Sequence, residues 1–270
     1  MRQSTSVRGI IFAAIVSVGE GAAAAWAEDG SVRSNNDNDT PVPLIAPGGI
    51  ATETATPPRD IRLRAVVFRA WDDAISTWKR LIRTRAMEIG AVHLRFVDRI
   101  SPMNCYGLYA GEGPVYCSGN VTVFIGTEAA DRLMVKLGAH GGAGITFLVG
   151  HEIGHHIQNL HGRFRFLKGV IRADPDNMIE SIRRFELEAD CLAGVWIRAS
   201  KAWSRSSRFK VDMMAALKTI GDESLGRQPL DIAKPRVALH GTSEQRARWF
   251  MRGAESGDLR MCNAFGTPYL

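Results

Sequence analysis

The sequence predicts an α+β domain in which a small sheet of antiparallel type packs on a mainly helical body. Several long segments repeat apolar residues at helical spacing, whereas three short segments between residues 91 and 125 have strand-like patterns. The chain has 270 residues, of which 45% are hydrophobic and 23% are charged, a balance typical of globular proteins. These values exclude a wholly disordered chain, a collagen-like fibre and a polytopic membrane protein.

The first 27 residues have the composition of a secretory signal peptide. Arg2 and Arg8 supply a positively charged start, and residues 9–18 form an apolar run. Small residues follow and end in the A-x-A cleavage pattern at residues 25–27. We therefore expect export to the periplasm or the extracellular space, with no stable membrane span after cleavage. The alternative is an N-terminal membrane anchor, although the apolar run is short for a span.

Residues 28–60 are rich in Asn, Asp, Thr, Pro and Gly, lack an apolar period and are predicted to form a flexible linker. The ordered domain is then predicted over residues 61–270. The net charge of +6 could suit an anionic partner. Because the arginines are spread along the chain, we expect no nucleic-acid role. The sequence carries no signal for the oligomeric state.

The ordered part begins with a helix, because apolar residues recur at helical spacing from Val67 to Ile82. Strands are predicted at residues 91–98, 113–117 and 121–125, and a Ser-Gly-Asn turn joins the last two. The Gly-rich residues 138–144 are predicted to be a flexible break. Further helices are predicted over residues 128–138, 145–161, 177–203 and 209–220, and a last one starts at Thr242 with a capping-box pattern.

Four cysteines behind an export signal indicate two disulfides, with three possible pairings. Cys105 and Cys117 flank a Gly- and Pro-rich turn, which favours a local pair. That pairing leaves Cys191 with Cys262, a bond that would tie a helix to the C-terminal tail. The alternative is free, buried thiols. The spacing shows no C-x-x-C zinc pattern.

The strongest chemical signal is the H-E-x-x-H pattern formed by His151, Glu152 and His155. On a helix, residues i and i+4 differ by about 40° in azimuth and by ~6 Å along the axis, so both imidazoles can bind one metal ion. Glu152 follows the first ligand, where its carboxylate can accept a proton from activated water. Two imidazoles favour zinc, and we predict one catalytic zinc ion per chain.

A catalytic zinc usually has three protein ligands, and two segments could supply the third. His161 has the spacing of the longer H-E-x-x-H-x-x-G-x-x-H pattern, but Gln158 stands where that pattern needs a turn-forming Gly. Glu186 and Asp190 are four residues apart and share a helix face. We predict Glu186 as the third ligand and Asp190 as the acceptor for the N–H of a ligating His.

Four blocks of the sequence, in order, resemble the neutral zinc metallopeptidase family of exported bacterial proteins. They are Gly113-Pro-Val-Tyr-Cys117 with its downstream strand, His151-Glu-Ile-Gly-His-His-Ile-Gln158, Glu186-Leu-Glu-Ala-Asp-Cys-Leu-Ala-Gly-Val-Trp196 and His240-Gly-Thr-Ser-Glu-Gln-Arg-Ala-Arg-Trp-Phe250. The resemblance implies a zincin-like peptidase fold with His151, His155 and Glu186 on zinc and Glu152 as general base. It also fits the disulfides Cys105–Cys117 and Cys191–Cys262.

In this fold type the substrate, a peptide or protein, lies extended beside an edge strand, for which residues 121–125 are the candidate. A donor opposite Glu152 could stabilise the oxyanion of a tetrahedral intermediate, and His240 or Arg246 could supply it. The simpler interpretation is that His240 positions the turn before the last helix and that Arg246 pairs with a buried carboxylate.

The predicted function is therefore zinc-dependent hydrolysis of peptide bonds. One alternative is a catalytically silent member of the fold that binds or scaffolds in the cell envelope, but a purely structural zinc has no need of Glu152. A metal-dependent amidase acting on a substrate such as cell-wall peptide would use the same chemistry. A third alternative is a regulated enzyme whose residues 28–60 cover the cleft.

Overall fold

A computed structural model describes residues 59–83, 89–100, 113–227 and 238–270. The predicted signal peptide and all but the end of the predicted linker lie outside these residues. The described chain is mostly helical, with one small sheet. Its helices are α1 (Arg59–Arg83), α2 (Thr127–Leu137), α3 (Gly141–Leu160), α4 (Arg163–Ala173), α5 (Met178–Ala199), α6 (Ser207–Leu217) and α7 (Ser243–Ser256), and its strands are β1 (His93–Val97), β2 (Val115–Cys117) and β3 (Thr122–Gly126).

The sheet is mixed, so the prediction of an antiparallel type was wrong. Its order is β1-β3-β2, with β2 antiparallel and β1 parallel to β3. The turn at residues 118–121 is short and therefore folds β2 back on β3 as a hairpin. The connection from β1 to β2 is longer, which allows β1 to lie parallel on the other side of β3. Strand patterns in a sequence do not carry this information about direction.

Strand β3 is the centre of the sheet, not an edge. Each of its five residues is buried, and it pairs with β1 on one side and β2 on the other. Its backbone hydrogen-bonding groups are therefore already used by its neighbours, and the expectation that residues 121–125 receive the substrate was wrong. In the described sheet, β2 is the edge strand that contacts α3.

The helical body is organised around α3, which packs against α1, α2, α5 and α6. Helix α1 begins at Arg59, earlier than predicted, because Leu63 extends the buried stripe that continues through Val67 and Trp78. Within Thr127–Leu160, an 18-residue window has a mean hydropathy of 1.3, so this helical segment is long and apolar enough to cross a membrane. Half of the window is buried inside the molecule, and the core helix of a protein that spans no membrane can have the same length and hydropathy.

Residues 138–144 are ordered helix and turn, so the predicted flexible break was wrong. Residues Gly138–His140 form a 3-10 turn, and α3 begins at Gly141. The glycines serve close packing at the corner between α2 and α3. A Cβ at Gly141 would lie 2.5 Å from the carbonyl oxygen of Met134, and one at Gly144 would overlap the Leu137 side chain.

The chain turns at once from α3 into α4, a helix that the sequence pattern did not predict. Gly162 has a φ of 70°, the left-handed conformation that ends α3 and allows α4 to begin at Arg163. The last helix, α7, begins with the predicted capping box, in which Thr242 and Gln245 each accept a backbone N–H from the other.

Cys191 on α5 and Cys262 in the C-terminal tail are joined by a disulfide with a Cα–Cα distance of 5.4 Å. Cys117 is also disulfide-bonded. The Cys105 side of its predicted pair lies outside the described residues.

The backbones of helices α5 and α7 lie in direct contact at Gly253. A Cβ at Gly253 on α7 would overlap the carbonyl oxygen of Cys191 on α5. We expect Gly253→Ala to lower the free energy of unfolding by about 3 kcal/mol, because two backbones would have to separate. Gly169→Ala on α4 is the matched control, since a Cβ there meets nothing within 4 Å. This control should raise the free energy of unfolding, measured by urea denaturation, by about 0.5–1 kcal/mol. Equal effects of the two variants would contradict this account.

Candidate metal centre

Helices α3 and α5 bring two imidazoles and one carboxylate to a common point. The Nε2 atoms of His151 and His155 lie 3.1 Å apart. Oε2 of Glu186 lies 3.1 Å from the His151 Nε2 and 3.3 Å from the His155 Nε2. Both histidines are buried, and the Glu186 side chain is 16% exposed. Among the described residues, this is the group of metal-ligating side chains close enough to hold one ion.

Hydrogen bonds on the far side of each imidazole set its tautomer. The Nδ1–H of His151 donates to Asp190 Oδ1 at 2.7 Å, and that of His155 donates to Gln158 Oε1 at 2.7 Å. Gln158 is oriented as an acceptor because its Nε2 donates to the carbonyl of Phe185 at 2.8 Å. In the neutral tautomer that these hydrogen bonds select, each imidazole can direct an Nε2 lone pair at the common point.

The donor set fits a zinc ion. Zinc binds imidazole and carboxylate at about 2.0–2.2 Å, which places tetrahedral ligand atoms about 3.3–3.6 Å from one another. The three separations here, 3.1 to 3.3 Å, are close to that range. Two buried lone pairs facing a carboxylate oxygen need a cation between them, either a metal ion or a proton on one of the rings.

Asp190 connects the centre to a buried arginine. Arg246 on α7 donates Nε–H to Asp190 Oδ2 and Nη2–H to Oδ1, both at 2.9 Å. Burial favours the protonated acid, but the charge of Arg246 and the His151 hydrogen bond hold the pKa of Asp190 below its usual value. Burial alone would also lower the pKa of His151; Asp190, Glu186 and Glu152 outweigh it and raise that pKa to about 10. The carboxylates around the two imidazoles therefore favour a cation at the centre, whether a metal ion or a proton.

A second network, which the sequence reasoning missed, supports His155. Glu188 accepts from Gln158 Nε2 at 3.2 Å, from Arg163 Nη2 at 2.5 Å and from the backbone N–H of Ala264 at 3.0 Å. Glu188 is two residues after Glu186 on α5 and therefore lies on the opposite face of the helix, where it is buried. A signal for this network in the sequence was Gln158, which lies three residues after His155 on the same helix and can therefore reach its ring.

Glu152 lies on α3 beside β2 and lines a cavity of about 300 Å³. Its Oε2 accepts the backbone N–H of Tyr116 at 2.6 Å. The cavity is also lined by His151 and His240. The carboxylate is therefore held by one backbone donor while it borders both the metal centre and open space. Sequence patterns gave no sign of the Tyr116 contact, which joins two distant segments.

His240 reaches the same region from the segment before α7. Its ring Nε2 lies 3.6 Å from Glu186 Oε2. Its Nδ1 accepts from Arg227 Nη1 at 2.9 Å, which leaves the proton on Nε2 and directs that N–H toward the centre. Burial is the main cause that lowers the pKa of His240, so the neutral ring is favoured at neutral pH.

Asp222 holds the turn that carries His240. Its Oδ2 accepts the backbone N–H groups of His240 and Gly241, both at 2.8 Å. Although burial raises the pKa of Asp222, its contacts with His240, Arg227 and the Gly241 N–H lower it to about 2. The backbone of His240 is thus held in the turn by Asp222, and its ring faces the metal centre. Its role as an oxyanion donor stays a prediction.

Two further histidines, one in α3 and one just after it, serve other purposes. His161 lies past the end of α3, where its Nδ1–H donates to the carbonyl of Ile157 at 2.9 Å, and it does not join the metal centre. His156 is buried in the core, where its Nε2–H donates to the carbonyl of Ile89 at 2.6 Å and its Nδ1 accepts from Tyr116.

Comparison with known proteins gives one family and several relatives. The profile of the family described as "Putative neutral zinc metallopeptidase" matches residues 49–265. The chain is 37% identical over 158 residues to "Uncharacterized protein YpfJ" of Escherichia coli K12, which covers 57% of this chain and 54% of that protein. It is 29% identical over 190 residues to "Uncharacterized protein Rv2575" of Mycobacterium tuberculosis, covering 66% of this chain and 64% of the relative. The chain thus spans about half the length of the E. coli relative. No solved structure matches it significantly.

Proposed function

Because the chain belongs to the neutral zinc metallopeptidase family that this profile describes, we propose that it hydrolyses peptide bonds with one zinc ion and Glu152 as general base. The observation that carries the proposal is the meeting of His151, His155 and Glu186 within 3.3 Å, with Glu152 beside them on the cavity. His151, His155 and Glu186 would hold the metal. A zinc ion of this kind polarises a carbonyl and lowers the pKa of water toward 7.

Glu152 performs the proton transfers. Its carboxylate accepts the proton of the attacking water and then gives it to the amine that leaves when the C–N bond breaks. The backbone N–H of Tyr116 holds one carboxylate oxygen at 2.6 Å, so the group stays oriented toward the cavity. A structural metal site would not need an acid beside the ligands, which argues against a silent scaffold.

We place the substrate beside the start of β2, the edge strand next to Glu152, because Glu152 itself already accepts the Tyr116 N–H. Gly113 and Pro114, just before β2, line the cavity. An extended peptide can pair with an exposed strand edge through its backbone, which supplies affinity with little dependence on sequence.

His240 is proposed as the donor that stabilises the oxyanion. Its Nε2–H points toward the centre, and Arg227 and Asp222 fix its tautomer and position. We expect His240→Ala to lower kcat by about 10²–10³-fold while zinc content stays at that of wild type. His161→Ala, a change of the same kind outside the centre, is the control. An unchanged kcat in the His240 variant would assign that residue to the turn alone.

The experiment that tests the metal site is elemental analysis of zinc-loaded protein beside Glu186→Ala. We expect about one zinc per chain in wild type and a large loss of zinc in the variant, because two imidazoles alone bind zinc weakly. Glu180→Ala, on the same helix but away from the centre, should keep its zinc. A wild type that takes up no zinc would overturn the proposal in favour of a fold used for binding, and zinc retained without Glu186 would point to another third ligand.

Export to the periplasm or the extracellular space remains a proposal. The disulfide between Cys191 and Cys262 supports it, because such bonds persist in oxidising compartments. Mass spectrometry of the protein isolated from its host tests it: a mature chain that begins after Ala27 is expected, and a retained Met1 would favour an anchored protein.

A further inference from the structure

We propose that Gln158 positions His155 for the metal, and that the C-terminal tail, residues 259–266, holds Gln158 in place through Glu188. This inference rests on the zinc site of the proposed function, and it concerns how tightly that site binds its ion. Gln158 and Glu188 are only 2% and 3% exposed, and neither is among the three side chains that converge on the metal position.

The surroundings of the Gln158 amide permit one orientation. Its Nε2 donates to the carbonyl of Phe185 at 2.8 Å and to Glu188 Oε2 at 3.2 Å, while its Oε1 accepts the Nδ1–H of His155 at 2.7 Å. An amide turned by 180° would direct its oxygen at two acceptors and its NH₂ at a donor, so all three contacts would be lost. The orientation therefore keeps the proton of the neutral His155 ring on Nδ1 and leaves Nε2 for the metal.

Both oxygens of Glu188 are held by two donors each. Oε2 accepts from Gln158 Nε2 and from Arg163 Nε, at 3.2 and 3.1 Å. Oε1 accepts from Arg163 Nη2 at 2.5 Å and from the backbone N–H of Ala264 at 3.0 Å. A carboxylate is a rigid plane, so a shift of one oxygen moves the other. Loss of the Ala264 contact would therefore displace the oxygen that orients the Gln158 amide.

The tail is fastened to α5 around Ala264. Cys262, two residues earlier, is joined by a disulfide to Cys191 on α5. Arg184, also on α5, donates Nη1–H to the carbonyls of Ala264 at 2.6 Å and of Thr267 at 2.7 Å. Ala264 itself is fully buried. These contacts hold the backbone donor that Glu188 uses, and they connect the tail to the metal centre through two side chains.

The first test is the zinc affinity of the full chain, measured by competition with a chelator. Gln158→Leu replaces the amide by an apolar side chain of similar size, and we expect about 10–100-fold weaker zinc binding. Thr146→Val is the matched control, because Thr146 is also a buried polar residue of α3 but donates to the carbonyl of Gly142, away from the centre. It should keep the affinity of wild type. An unchanged affinity in Gln158→Leu would overturn the proposal.

The second test breaks the tail contact in two backgrounds. Cys191→Ala combined with Cys262→Ala removes the cross-link and should weaken zinc binding by about 5–10-fold in an otherwise wild-type chain. In a Gln158→Leu chain the same pair should change the affinity by less than about 2-fold, because the route is already broken. Ala264→Pro removes the N–H directly and should give the same pattern, which decides the question if the cysteine variant does not fold. Proline is tolerated there because Asn263 before it is extended, with φ −80° and ψ 94°.

The comparison of backgrounds separates positioning from general stability. A tail that only stabilised the fold would weaken zinc binding by the same factor with and without Gln158, and that result would overturn the route through Glu188. Tail variants with the zinc affinity of wild type would also overturn it. Peptide hydrolysis by a chain whose zinc affinity is unchanged by all these variants would overturn this inference alone. The expected affinities in a chain that cleaves no peptide would support it and overturn the peptidase proposal.

Discussion

Replacing Glu152 by Gln is expected to abolish peptide hydrolysis while the protein still binds zinc. A general base contributes about 10²–10⁴-fold, and here one group serves both proton transfers, so we expect a loss of at least about 10³-fold in kcat. Gln keeps the size of the side chain and can still accept the Tyr116 N–H, so the cavity and the three metal ligands should stay in place. The measurement is kcat on a cleaved peptide together with zinc content by elemental analysis.

Glu244→Gln is the control for this variant, because Glu244 is an exposed residue of α7 and 85% of its side chain is accessible. It should retain the activity, zinc content and thermal stability of wild type. A Glu152→Gln protein that keeps both its zinc and its turnover would exclude Glu152 as the base. A variant that loses its zinc would instead assign Glu152 to the architecture of the centre, and activity alone could not separate the two cases.

The parts of the centre that could be predicted are those that a single helix determines. His151 and His155 lie on one face because they are four residues apart, and the structure places their Nε2 atoms 3.1 Å apart. Glu186 and Asp190 likewise share one face of α5, with Asp190 on the His151 ring. Helical periodicity relates these residues within each segment, and their chemistry suggested which segments meet.

The parts that could not be predicted depend on contacts between distant segments. The Tyr116 N–H reaches Glu152 only because β2 is an edge strand, and strand order has no signature in a short apolar run. His240 faces the centre because Asp222 holds its turn, a contact without any periodic pattern. The Gly-rich corner before α3 resembled a flexible break, since glycine favours both flexibility and close packing.

Asp190→Ala is expected to damage both stability and zinc binding. The change would leave Arg246 buried with the carbonyl of Ile220 as its main remaining partner, at 3.1 Å, and the ring of Phe147 nearby. Removing one member of a buried ion pair costs about 3–5 kcal/mol, which urea unfolding of the zinc-free protein should show. His151 would also lose the acceptor of its Nδ1–H, and loss of such a partner weakens metal binding by about 10–100-fold.

A double variant separates the two effects. Asp190→Leu with Arg246→Met removes both charges and fills the space with apolar side chains, which should restore much of the lost stability. It cannot restore the hydrogen bond that orients His151, so its zinc affinity, measured by competition with a chelator, should stay about 10–100-fold weaker than wild type. Recovery of wild-type affinity would mean that Asp190 acts on the metal only by stabilising the fold. Persistent weakness in a stable protein would make Asp190 the residue that positions His151, with Arg246 serving to keep that carboxylate ionised in the core.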